Sequence, residues 1–239
     1  MKKQSMTIGK FSHSFFILVI LGLLISCSHN RNNDRGKLGL NGDVKFFFER
    51  QYEAEMKFGN WQEGDIENYG HNKVYFTKDG FIEFIDYLND EDELTSKYVP
   101  ELKDGKVVKE IYYDEDGELL YINEINHISK KELKFVGYNK DGEKVSEGIS
   151  IFGNNRIEKI KHKEFEDGKV SGEFTTTFEY DQDGNLIVQK EVNKSGEILQ
   201  HYRYEYLSFD TNNNWTKRLE YSSDSDKPDR ITIREYEYY

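Results

Sequence analysis

Two stretches set carboxylates at a spacing that could hold a cation: Asp114-x-Asp116-Gly117 and Asp181-x-Asp183-Gly184. The start of a calcium loop looks like this. A full EF-hand loop also needs a third acidic ligand before the glycine and a bidentate glutamate at the twelfth position, between two helices. Neither stretch supplies those, and a hairpin turn accounts for the same residues, so no metal is assigned. His29, His71, His127, His162 and His201 form no pair at metal-ligand spacing. No Gly-x-Ser-x-Gly, Ser-x-x-Lys, P-loop or dinucleotide-binding pattern is present. Acids abound, but no two are set apart as a glycosidase pair. The expectation is therefore no catalytic residue, no cofactor and no enzymatic activity, with ligand-binding residues left unidentified. One reactive side chain stands out, the single thiol, Cys27.

Cys27 closes an apolar run, Phe15 to Ile25 broken only by Gly22, which follows Lys2, Lys3 and Lys10. A basic start followed by a short apolar stretch is the order of an export signal. The run is shorter than the 18 or so apolar residues that span a bilayer. Leu24, Ser26 and Cys27 resemble the lipobox of bacterial lipoprotein signals, with leucine three before the cysteine and a small residue just before it. That resemblance implies a signal peptide over 1–26, cleavage before Cys27 and lipidation of its sulfur. Residues 27–39 then read as lipidated cysteine and flexible tether, and 40–239 as a single repeat-containing β domain. Ser28, His29 and Asn30 follow the cysteine, with no aspartate directly after it. By resemblance to lipoprotein sorting rules this implies the outer membrane, anchored by lipid and facing the periplasm, with surface exposure as the alternative.

Net charge is −12, and removing a signal with three lysines and no acid takes it to −15. Nucleic acid and anionic lipid headgroups need a basic surface, so neither is expected as a partner. With one cysteine no intramolecular disulfide can form. Alanine occurs only at Ala54 and proline only at Pro100 and Pro228, while Tyr and Phe are plentiful. This composition favours strands.

From Phe46 to Phe58 every even position except Arg50 is apolar, a period of two that predicts a strand. Beyond Val74, Asp-Gly recurs at 79/80, 104/105, 116/117, 141/142, 167/168 and 183/184, with Ser-Gly at 195/196. Weaker turn clusters fill the gaps. Asp-Gly between strand-forming runs is the strongest short hairpin signal. The fold class is therefore all-β, an antiparallel meander of about a dozen strands joined by Asp-Gly hairpins, in an elongated or partly rolled sheet. Phe174, Thr176, Phe178 and Tyr180 share one face of a strand, as do Tyr202, Tyr204 and Tyr206. At the C-terminus Ile231 and Ile233 are out of phase with Tyr236 and Tyr238, which predicts a bulge near Arg234 or Glu235.

Tyr113-Asp114-Glu115-Asp116-Gly117-Glu118-Leu119 and Tyr180-Asp181-Gln182-Asp183-Gly184-Asn185-Leu186 resemble the YD repeat of Rhs-type proteins. The close, Phe209 to Arg218 followed by Arg234 to Tyr239, is similar to the end of a family of uncharacterised repeat lipoproteins of Gram-negative bacteria. The resemblance implies a repetitive β-sheet on a lipid anchor and carries no chemistry. The expected function is an envelope lipoprotein binding or scaffolding a protein or glycan partner through its sheet surface. Two alternatives stay open. One is a carbohydrate-binding lipoprotein, in which Tyr202, Tyr204 and Trp215 would line a groove, and the other an immunity-type protein that neutralises a toxin.

Overall fold

Glycine takes up a left-handed backbone at every turn the Asp-Gly and Ser-Gly pairs mark: Gly80, Gly105, Gly117, Gly142, Gly168, Gly184 and Gly196 all have φ between +71° and +94°. Between those turns the chain has no choice but to reverse. The computed structural model describes residues 33–153, 156–222 and 225–239. It contains a short helix, α1 (Asp34–Lys37), then β1 (Val44–Lys57), β2 (Asn60–Ile66), β3 (His71–Phe76), β4 (Ile82–Leu88), β5 (Leu94–Lys103), β6 (Lys106–Asp114) and β7 (Leu119–Ser129). β8 (Glu132–Asn139), β9 (Lys144–Gly153), β10 (Arg156–Glu166), β11 (Lys169–Tyr180), β12 (Leu186–Asn193), β13 (Ile198–Phe209), β14 (Trp215–Ser222) and β15 (Arg230–Tyr238) complete it.

All pairings are antiparallel and follow chain order from β3 to β15. The sheet is neither elongated nor partly rolled, because it closes. One edge of β1 pairs with β3, from Phe46↔Tyr75 to Glu49↔Asn72, and its other edge pairs with β15, from Phe46↔Glu237 to Glu53↔Arg230. The ring holds 14 strands. β2 stands outside it and pairs only with the distal half of β1.

This β1–β2 hairpin bends over the outer face of β14 and β15. Ala54 and Trp61 pack there on Leu219, Tyr221, Ile231 and Ile233, and Lys217 reaches Glu63 at 2.7 Å. The hairpin explains the phase change near the C-terminus without a bulge. β15 runs in regular register with β1 from Arg230 to Glu237, its isoleucines facing out under the hairpin and its tyrosines facing in.

Pairing registers fix which face is inner. Phe47, Val74, Ile85, Tyr98 and Tyr112 stand opposite one another on successive strands, all buried in one apolar cluster. A second cluster, Ile157, Ile160, Phe178 and Leu186, lines the far wall. The outer face is mixed, with an apolar row, Phe46, Tyr75, Phe84, Val99, Ile111 and Ile122, set among charged side chains. Lys161 and Lys163 are exposed on either side of buried His162, Lys97 pairs with Asp86 at 3.1 Å, Lys194 with Glu173 at 3.0 Å, and Lys45 with Glu237 at 2.5 Å.

Of the residues expected to be a flexible tether, 33–39 are folded, and 27–32 lie outside the described residues. Asn33 caps α1 by accepting from Gly36 N at 3.0 Å, and Asp34 accepts from Ile82 N at 2.9 Å. Arg35, 1% exposed, donates to the carbonyls of Val44 and Lys78. Leu38 and Leu40 add to the first cluster, so α1 seals that side of the rim.

Candidate functional site: the inner wall

Eight strands make a barrel just filled by side chains, and 16 to 18 leave a water channel. Fourteen lies between, and the inner wall shows the consequence. Tyr121, Phe135, Phe174, Tyr202, Tyr204 and Tyr206 all point inward yet keep part of their surface in contact with solvent. The strands that carry them also place polar side chains inward, at positions that the ladder repeats every second residue.

Three polar clusters result. At the seam, Glu49 accepts from Arg234 Nε at 3.0 Å and Nη2 at 2.5 Å, with Arg218 at 3.9 Å. Burial alone would raise the Glu49 carboxyl, but Arg234 and Arg218 hold it below its ordinary range. The two guanidiniums lie over the Trp215 ring, 3.8 Å and 4.8 Å from its centroid.

On β6 and β7, Glu110 accepts from Asn123 at 2.9 Å, and Tyr121 donates to Asn123 at 2.7 Å while sharing a hydrogen with Ser146 at 2.6 Å. Burial pushes the Glu110 carboxyl up to about 7, and the nearby Asp34 charge adds to the rise against the Asn123 bond. Among the described residues no cation pairs with Glu110. The third cluster lies on β10 to β12. Thr176 donates to Glu191 at 3.0 Å, beside His162 and Gln189. His162 and Gln189 are each only 4% exposed, and among the described residues neither His162 Nδ1 nor Gln189 Nε2 has a partner. Burial also holds the His162 ring down to about 4, so it is neutral at physiological pH.

Cys27 lies outside the described residues. Asp114 and Asp181 are occupied by their own turns: Asp114 Oδ1 accepts from Asp116 N and Glu118 N, and Asp181 Oδ1 from Asn185 N. His71 accepts from Gln51 N through Nδ1 at 3.1 Å, with Nε2 2.6 Å from the Glu67 carbonyl, an inter-strand brace. Tyr202, Tyr204 and Tyr206 do share the inner wall, whereas Trp215 is buried under the guanidiniums. Sequence reasoning missed Glu49, Glu110, His162 and Gln189. Their one signal was parity: Glu110 is in phase with Tyr112, and His162 with Ile160.

No protein-family model matches the chain, and no curated protein matches it. Two solved structures share part of its shape. The first is a porin-like protein from Bacteroides uniformis, 10% identical, aligned over 82% of this chain and 98% of that one with a TM-score of 0.44. The second is TcdB2-TccC3-TEV, 13% identical, aligned over 78% of this chain and only 14% of that one with a TM-score of 0.17.

Proposed function

We propose that this protein is a non-enzymatic envelope lipoprotein of the outer membrane, anchored through Cys27, whose barrel stands in water and binds a ligand on its inner wall. The observation that carries the reading is the pair of buried, unpartnered polar atoms, His162 Nδ1 and Gln189 Nε2, beside half-exposed aromatic rings. Buried polar groups are nearly always paired, so an exception asks for a partner brought in from outside. The outer face supports the anchored rather than embedded arrangement. A membrane-spanning barrel turns an apolar band about 25 Å tall toward lipid, and here charged side chains, Asp86, Lys97, Lys161, Lys163 and Glu173 among them, interrupt the outward apolar residues. The tether would leave from the rim that α1 seals. The turns at Asp90 to Glu93 and Asp114 to Glu118 then project from the opposite rim, away from the bilayer. Exchanging residues 1–27 for an export signal that is cleaved without lipidation, and fractionating cells, tests this: the variant should appear in the soluble envelope fraction without detergent. A variant that stays in the membrane would mean the barrel itself is embedded.

One observation favours a second reading, docking of a protein partner. Phe58, at the tip of the β1–β2 hairpin, is 98% exposed at φ +53°. An aromatic side chain held in water on a left-handed backbone is stabilised by none of the described residues. Phe58→Gly should relieve the backbone and raise stability while abolishing retention of a partner on immobilised protein. Unchanged retention would remove the hairpin from consideration.

A further inference from the structure

Gly137 on β8, Gly148 on β9 and Gly172 on β11 all face inward, and none has a left-handed backbone that would require glycine. Their reason is space. A Cβ on Gly148 would overlap the Phe135 ring, one on Gly137 the Tyr121 hydroxyl, and one on Gly172 the Phe174 ring. Glycine inside a strand marks such close approach. The rings therefore lie down against the wall instead of standing out from it, leaving a broad aromatic floor. The Phe174 ring is itself stacked with His162, centroids 4.9 Å apart and planes 26° from parallel.

Around this floor stand His162 Nδ1 and Gln189 Nε2, both without partners among the described residues, and the carboxylate of Glu191, with which no cation pairs among them. Flat rings offer a face to the C–H side of a sugar ring. The Glu191 carboxylate, with no cation beside it among the described residues, accepts from its hydroxyls, and the amide N–H and the ring nitrogen complete the set with one donor and one further hydrogen-bonding site. An anionic ligand would meet the Glu191 carboxylate as a like charge and be repelled. We propose that the inner wall over β8 to β12 binds a neutral oligosaccharide, with Phe135 as stacking platform and Gln189 and His162 reading hydroxyls. This rests on the reading of the barrel as a binding protein.

The test is isothermal titration of the full chain in detergent against neutral oligosaccharides, acidic glycans and short peptides, with circular dichroism to confirm folding. A neutral oligosaccharide should bind, and Phe135→Ala should weaken it at least about tenfold. Gln189→Leu should weaken it comparably while leaving the melting temperature unchanged or higher, because it replaces an unpaired buried amide by a side chain of similar shape. Loss of binding with retained stability separates a ligand contact from a packing role. Acidic glycan or peptide binding that these two variants abolish would overturn the sugar assignment and leave the binding barrel standing. Binding that ignores both variants would place the site elsewhere, and no binding by any probe would overturn the proposal, while fractionation of the variant with the exchanged signal decides the anchored barrel separately.

Discussion

Glu110 and His162 face the same interior and answer pH in opposite directions. The Glu110 carboxyl is raised by burial to about 7, so between its ordinary value of 4.5 and about 7 the folded protein holds a proton that the unfolded chain has lost. Stability then falls as pH rises through that window and stays lower above it. His162 is depressed from 6.5 to about 4, so stability falls as pH drops across that interval. The two trends oppose each other between about 4.5 and 6.5. Glu110→Gln keeps the shape and removes one of them. Denaturant unfolding should show the variant equal to the parent near pH 4 and more stable at pH 8, by up to about 3 kcal/mol. It should also expose a rise of stability with pH that the parent hides. A variant that tracks the parent at every pH would mean the carboxyl is already ionised in the fold.

The turns between strands are the most local of the elements and were the most legible. Asn89, Asp114, Asn139 and Asn193 do the same job in four of them, each side-chain oxygen accepting from the N–H groups two and four residues on. The glycine that follows differs in its surroundings. Nothing lies within 4 Å of a Cβ on Gly142, whereas one on Gly184 would strike the Arg156 guanidinium. Gly142→Ala should therefore cost only the backbone term, about 1 kcal/mol, and Gly184→Ala distinctly more, read as shifts in thermal midpoint. Equal costs would show that Arg156 moves aside freely. The strand count fell short at a dozen because the turn at Phe58 and Gly59 lies at the end of a run whose parity reads as one strand. Parity also hid the inside of β1. Its even residues other than Arg50 are mostly apolar, yet Phe48 faces out beneath Arg50 and Lys73 while charged Glu49 faces in. No local pattern distinguishes an inner wall that is itself polar, which is why the site was less legible than the fold.

Closure of the barrel depends on residues far apart in the chain, and no hairpin signal can announce it. The Glu49–Arg234 contact bridges 185 positions at the seam. Both side chains are buried, so removing one leaves the other as an uncompensated charge. Glu49→Gln should destabilise by about 3 kcal/mol, and adding Arg234→Met should recover most of that loss in a double-mutant cycle. Additive losses would mean the two groups act independently. The seam also orders events in time. A chain delivered N-terminus first presents β1 before any other strand, and its partner β15 comes last of all. Until then β1 has one bare edge, with Phe46, Phe47 and Phe48 along it, and each newly added hairpin only moves the second bare edge further down the chain. Contacts of such sequence separation form slowly. The interval between first strand and last is thus when this molecule is most exposed to aggregation, and an escort that holds β1 through that interval would protect it more than any stabilising contact elsewhere in the finished barrel.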